Sequence, residues 1–368
     1  MTGKKGAMTA FVVVAVFLIT AVGAVSSESS EGAKEFTSYY DQLSVNEKAV
    51  FNVMKEAEPD ERKFTIALPI TLYATSADPA DAETYLKGMA KSITDNAVKA
   101  LMLCSPTAYW GWVACGVVLD PPEITTAGSL KSISSVTIWV STMNITPEEG
   151  MDKTQTIEKM QNDLKAAVDD YKVKEGSIRD KVLDMNNYLV NKVTYDPNVG
   201  EVGKESVFAH DAYGALVSKD NLAVCDGYSK AFLLLCEKSG IECVVVFGTA
   251  VESMGNHAWN YVKMDDGKWY AIDVTWNDNG KSENPYFLLG GKNFFTTHNQ
   301  GVFLIDGVNS YPFEGPALSV LNYGESEGGN NDWLHSMQFY GWLAAGLIVA
   351  ILCAVILIHN NKTKNKKR

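Results

Sequence analysis

The chain has 368 residues, 46% of them hydrophobic, and carries a formal net charge of −12. That length holds one or two globular domains with a substantial core, plus additional segments. The acidic balance excludes nucleic acid and anionic surfaces as natural partners, because the field would repel them.

The N-terminus opens with Lys4 and Lys5, an apolar run from Ala10 to Ala24, and then the polar Ser26, Ser27, Glu28, Ser29 and Ser30. This is the pattern of a signal peptide over residues 1–24, with Val22 and Ala24 as the small residues at the cleavage site; a retained N-terminal anchor is the alternative. Residues 25–34 read as a linker. An α+β accessory block is expected over residues 35–175. It comprises a helix from Asn46 to Lys55, a strand from Phe64 to Tyr73, and a helix whose apolar stripe is Leu86, Met89, Ala90, Ile93, Ala97 and Leu101. A strand at Val136 to Val140 and an amphipathic helix from Pro147 to Tyr171 complete it. The seam falls near Lys174, Glu175 and Gly176, and the block carries no chemistry that its residues name.

A second block is expected over residues 176–318. Ile178, Val182, Met185 and Leu189 form a helical stripe leading into a short strand at Val193 to Tyr195, and a further helix is predicted from Val207 to Leu216. Asp226 to Lys238 reads as a helix stopped by Gly240. Cys243 to Gly248 reads as a buried strand. Trp259 to Lys263 and Trp269 to Val274 read as a hairpin around Asp265, Asp266 and Gly267, and Tyr286 to Leu289 as a last strand. Helix first and antiparallel strands after it argue for an α+β fold.

The chain then turns polar over residues 319–338, a tether containing YGESEGGNND. Residues 339–358 read FYGWLAAGLIVAILCAVILI, without a charge, and a helix of that length spans roughly 30 Å. Lys362, Lys364, Lys366, Lys367 and Arg368 follow in a basic tail, residues 359–368, as expected for the cytoplasmic side. The expected topology is a single-pass cell-membrane protein with both blocks outside. Seven of the 32 basic residues lie in these flanks and all 44 acidic residues lie between them, which leaves the external part at −19. Of six cysteines, Cys353 falls in the apolar C-terminal stretch. Cys104 with Cys115 and Cys236 with Cys243 are close enough in sequence to pair, although buried thiols explain Cys236 and Cys243 equally well, and Cys225 is left over.

Cys225 stands in NLAVCDGYSKAF, where an apolar run meets a helix start. Backbone N–H groups there stabilise a thiolate and can also donate to an oxyanion forming beside the sulfur. Alone, such a cysteine is more often packing. His257, in GNHAWNYV, enters one hairpin strand, and Asp273, in WYAIDVTWND, lies on the returning one. With a three-residue loop at Asp265, Asp266 and Gly267, His257 falls opposite Thr275 and Asp273 becomes its diagonal neighbour on the same face. A two-residue turn would put them on opposite faces. Cys225 is then the nucleophile, His257 the proton carrier, and Asp273 the group that orients the imidazolium. Zinc is disfavoured by the lack of C-x-x-C or paired histidine spacing, and no acidic run has calcium-loop spacing. No metal or cofactor is expected.

AVCDGYSKAFLLLCEKSGIECVVVFGTA, NHAWNYVKMDDGKWYAIDVTWND and NPYFLL together resemble the core of the transglutaminase-like superfamily in its exported microbial form, over about Ile178 to Leu289. The resemblance implies a papain-like core, a cysteine-headed helix packed on an antiparallel sheet, and carries the family's triad onto Cys225, His257 and Asp273. AYGAL resembles the segment before the cysteine, which makes Tyr213 a candidate lining residue beside Trp259 and Trp276. Peptidases, amidases and cross-linking transamidases of this family share a thioester intermediate. Hydrolysis of an external peptide or protein substrate is the expected outcome, with cross-linking as the alternative and a non-catalytic peptide-binding or adhesion module as the alternative of another class.

Overall fold

A computed structural model describes residues 38–112, 114–253, 255–300, 304–305, 308–309 and 313–326. The expected signal peptide at 1–24 and the apolar stretch at 339–358 lie outside these residues. Among those described, no helix is long and apolar enough to cross a membrane.

The chain begins with α1 (Tyr39–Gln42) and α2 (Val45–Lys55), the latter started by a capping box in which Ser44 and Glu47 satisfy each other's backbone N–H groups. Strand β1 (Lys63–Thr75) contains Pro69, which has no N–H to donate. Its pairing with β4 (Leu130–Ser141) accordingly slips between Ala67 and Leu72. The Asn46 side chain fills the gap, accepting from Ile70 N at 2.9 Å and donating to Ile70 O at 2.8 Å. Between these strands run α3 (Pro79–Cys104), β2 (Gly116–Leu119) and β3 (Thr125–Ala127), and both short strands pair with β4. Helix α3 buries Leu86, Ala90, Ile93, Ala97 and Leu101, the stripe expected from their spacing.

α4 (Lys153–Asp170) and α5 (Ile178–Lys192) follow, then β5 (Thr194–Tyr195), α6 (Ala212–Leu216) and β6 (Leu222–Ala223), with β5 and β6 parallel. Helix α6 is shorter than the predicted 207–216. The backbone before it is committed elsewhere: Ala209 O accepts from Val224 N and His210 O accepts from Lys230 Nζ, so these carbonyls cannot serve a helix. α7 (Cys225–Lys238) is buried almost all round, as befits a central helix. Phe232 and Leu235 are fully buried on it, each worth about 1.5–3 kcal/mol of apolar transfer. Its buried Lys230 lies 3.6 Å from Asp226 and 3.8 Å from Asp211, the partners that a buried ammonium requires.

The sheet beside α7 has the order β10-β7-β8-β9 and is antiparallel: β7 (Cys243–Ala250), β8 (Asn256–Lys263), β9 (Trp269–Ile272) and β10 (His298–Gln300). The short α8 (Val274–Asn277) and α9 (Gly291–Phe294) connect β9 to β10, and β11 (Leu304–Ile305) pairs with β12 (Val308–Asn309). Tyr286 to Leu289 is not the strand predicted. Leu288 has φ +53°, which ends any extended run, and only Leu289 bridges Ala271.

The predicted boundary at residues 175 and 176 lies inside one compact unit. A single apolar cluster runs from Tyr39 and Phe51 through Leu101 and Ile138 to Phe232 and Ile272. Tyr39 donates from its hydroxyl to Val245 O at 2.6 Å, tying the first described helix to the second sheet. None of the five described cysteines is in a disulfide, so neither sequence-adjacent pair is bridged. Burial pushes the thiols of Cys104 and Cys115 up to about 11 and about 12.

Candidate active site

Helix α7 begins at Cys225 itself, with Val224 as its cap. The first N–H groups of a helix have no partner within it, so the sulfur sits beside donors suited to negative charge. The backbone there is anchored by Val224 N to Ala209 O at 2.8 Å. Cys225 is partly exposed, unlike its neighbours Val224 and Asp226. Asp226 faces away into a network of its own, with His210 Nδ1 at 2.8 Å from Oδ1 and Lys230 Nζ at 3.6 Å from Oδ2.

The hairpin has the three-residue loop that the chemistry needs. Met264 N donates to Lys268 O at 2.9 Å, closing Asp265, Asp266 and Gly267, and Gly267 takes the φ of +75° that a side chain would resist. The register that follows pairs Asn260 with Ile272 and Lys263 with Trp269, which carried on sets His257 opposite Thr275. Asp273 departs from expectation in one respect. Strand β9 ends at Ile272, and Asp273 is the N-cap of α8, where Oδ1 accepts from Trp276 N at 3.0 Å. The cap fixes the carboxylate's rotation and points the other oxygen at the histidine.

His257 Nε2 lies 2.7 Å from Asp273 Oδ2. Cys225 lies near enough to the His257 ring to act on its charge, and with Nε2 engaged by Asp273 the ring nitrogen left for the sulfur is Nδ1. The structure thus brings the three predicted residues together, with a hydrogen bond between His257 and Asp273 and with Cys225 beside the imidazole. Burial opposes charge on His257, but the Asp273 carboxylate, and after it Cys225, outweigh burial and hold the imidazole up to about 10. Burial likewise opposes charge on Asp273, yet its two histidine partners bring it down to about 2. Such a site stores a proton on His257 next to a nucleophilic sulfur.

The other expected lining residues separate. Trp276 belongs to the site: its ring stacks on His257 at 4.9 Å between centroids and 24° between planes, and it is only partly buried. Trp259 is 0% exposed, so it cannot wall an open cleft; it supports the site from beneath, 5.9 Å from the His257 ring. Tyr213 sits on α6 against Trp112 and Phe208, at 5.8 and 5.0 Å, and is a packing residue between the two halves of the chain. The resemblance of AYGAL that suggested it marks a packing position, and no ring contact joins it to the triad.

His298 was not anticipated. Its Nε2 lies 3.1 Å from Asp273 Oδ2, the same oxygen that meets His257. On β7, Gly248 pairs with His257 and Ala250 pairs with His298; positions two apart share a strand face, so both imidazoles arrive on one side. Gly248 permits this closeness, since a Cβ there would stand 2.1 Å from Asn299 O. No periodicity flags a three-residue strand that pairs back to β7. One ligand atom from each of His257, Asp273 and His298 lies within 4.8 Å of the others, a donor set that a cation could use. The separations of 2.7 and 3.1 Å are those of hydrogen bonds, which account for the cluster through protons alone.

Comparison with known proteins agrees with this geometry. Residues 165–274 match the family model described as transglutaminase-like superfamily, a group whose members are generally cysteine-based enzymes. His298 lies beyond the matched segment. No curated protein matches the chain. Among solved structures, a TGase is similar at 22% identity and TM-score 0.29, over 46% of this chain and 47% of that one. The periplasmic domain of TgpA from Pseudomonas aeruginosa bound to ethylmercury is similar at 14% identity and TM-score 0.24, over 44% of this chain and 65% of that one. The chain thus spans about half the length of the first of these. Residues 165–274, with Cys225 at the head of α7 and His257 and Asp273 behind it, belong to the core domain of the transglutaminase-like superfamily.

Proposed function

We propose that this protein is a thiol amidase or peptidase acting outside the cell membrane through a thioester on Cys225. The observation that carries the reading is the His257–Asp273 hydrogen bond of 2.7 Å beside Cys225, with the sulfur partly exposed and the carboxylate fully buried. His257 takes the thiol proton, and the thiolate adds to a substrate amide carbon. Negative charge moves to the carbonyl oxygen beside the N-terminus of α7, where helix N–H groups are aimed. The intermediate collapses by breaking the C–N bond, and His257 passes its proton to the departing amine. A thioester remains. Water then attacks it, giving its proton to His257, and the C–S bond breaks to release the acid and restore the thiol. Water needs no second binding site, which favours hydrolysis over transfer to an amine.

The apolar stretches at 1–24 and 339–358 and the basic tail at 359–368 support export and single-pass anchoring, with peptide or protein substrates met outside. The test is incubation of the full chain with a peptide library, with and without a primary amine, followed by mass spectrometry. Fragments or deamidated peptides are expected, absent from Cys225→Ser. Amine adducts as the main product would identify a transamidase instead. No Cys225-dependent change in any peptide would refute the enzyme reading and leave the binding module.

A further inference from the structure

The mechanism above leaves unused a fully buried imidazole in contact with Asp273. His298 is 0% exposed, and its ring is clamped in place: Phe294 stacks on it at 4.0 Å and 12°, Trp276 lies at 4.4 Å, and Trp259 meets it edge-on at 4.9 Å. Its Nδ1 stands 2.8 Å from Thr297 Oγ1, a hydroxyl able to donate. Asp273 Oδ2, 3.1 Å from Nε2, is an ionised acceptor and therefore calls for a proton on Nε2. Thr297 Oγ1 also stands 3.3 Å from Phe294 O, so its hydroxyl can donate there or to Nδ1, whereas the Asp273 oxygen takes a proton only from Nε2; burial favours a neutral ring by lowering the imidazole below its ordinary value.

We infer that His298 is a positioning residue for the triad: its Nε2–H, donated to Asp273 Oδ2, holds the carboxylate in the one rotation that serves both His257 and the cap of α8. Oδ1 is occupied by Trp276 N and Oδ2 by two imidazoles, so three donors from three elements fix a single side chain. Loss of the His298 donor leaves the cap and His257 as the two remaining restraints on Asp273, so Oδ2 is held less firmly and the His257 ring loses part of its orientation toward Cys225. The inference rests on the thiol-enzyme reading, and its test does not need a substrate.

The full chain in detergent is treated with iodoacetamide at neutral pH, and alkylation of Cys225 is followed by peptide mapping. His298→Phe keeps the ring packing and removes the donor; His298→Gln keeps an N–H near the Nε2 position and gives up the ring. Expected rates are a loss of about tenfold or more for His298→Phe and a value within about threefold of wild type for His298→Gln. A merely structural role predicts the reverse order. His298→Phe reacting like wild type, or His298→Gln falling as far as His298→Phe, would overturn the assignment. Should His298→Phe not fold, 15N-histidine spectra of the wild-type chain, which has five histidines, decide instead. His298 is expected as the Nε2–H tautomer, and the Nδ1–H tautomer would overturn the role. Wild-type Cys225 proving inert to the reagent would instead refute the thiol-enzyme reading on which the role depends.

Discussion

Asp273 presents two oxygens to three donors: Oδ1 to Trp276 N, and Oδ2 to His257 and His298. Asp273→Asn preserves the shape of the side chain but leaves only one acceptor oxygen, so at least one donor must face an NH2 group. If that donor is Trp276 N, a buried N–H is orphaned at about 1–3 kcal/mol. If it is His257, the ring must accept at Nε2 and carry its proton on Nδ1, where it can no longer receive one from the thiol. The charge is lost in either case. Burial opposes charge on His257, and Asp273 is the foremost cause that holds it at about 10 against an ordinary 6.5, with Cys225 second. Loss of one hydrogen bond to a charged partner, at about 1.5–3 kcal/mol, slows reactions that need the imidazolium by roughly 10- to 10²-fold. The assay is the second-order rate of Cys225 alkylation at neutral pH, with the melting temperature measured in parallel. Asp273→Asn is expected to fall by about 10²-fold in rate and a few degrees in melting temperature. A variant within threefold of wild type in rate would refute the claim that Asp273 governs the site through His257.

Two further outcomes follow from the same geometry. Gly248→Ala places a methyl 2.1 Å from Asn299 O and 2.4 Å from Trp259 Cη2, so β10 must move off β7; calorimetry should show a loss of about 1–3 kcal/mol or more, with slower Cys225 alkylation. Unchanged melting and reactivity would show that His298 does not need that strand pairing. Stability should also peak at about pH 6 to 7. His257 and His210 are raised, to about 10 and about 9, so their contribution is complete below about 6.5 and is lost as pH climbs toward those values. His298 is lowered by burial and Asp273 lies at about 2, so stability falls below 6.5 as the unfolded chain takes up the first proton, and falls again from 3.8 down to about 2. Melting temperatures that stay level from pH 5 to 9 would contradict this.

Much of the site was legible because its signals are local. A cysteine at the junction of an apolar run and a helix start, and a hairpin whose loop length sets which side chains share a face, are properties of neighbouring residues; Gly267 and its two acidic predecessors selected the register that aligns His257 with Asp273. The apolar stripes of α3 and α5 were equally plain, since burial of one helix face leaves its period in the sequence. What escaped depends on contacts between distant segments. Residues 207–211 were predicted helical on local pattern, but Val224 N and Lys230 Nζ take their carbonyls. Trp259 and Tyr213 are aromatic residues of the kind that line clefts, and only packing decides otherwise: Trp259 is buried against Phe294, and Tyr213, half-buried, packs on Trp112 and Phe208. His298 is the clearest case. The sequence by itself singled out Cys225, His257 and Asp273 and made the alignment of the last two depend on a loop of three residues, which the hairpin has. Only the tertiary structure brought a second imidazole to Asp273, because that placement depends on β10 pairing with β7 across at least 47 intervening residues, closed down by the bare backbone of Gly248.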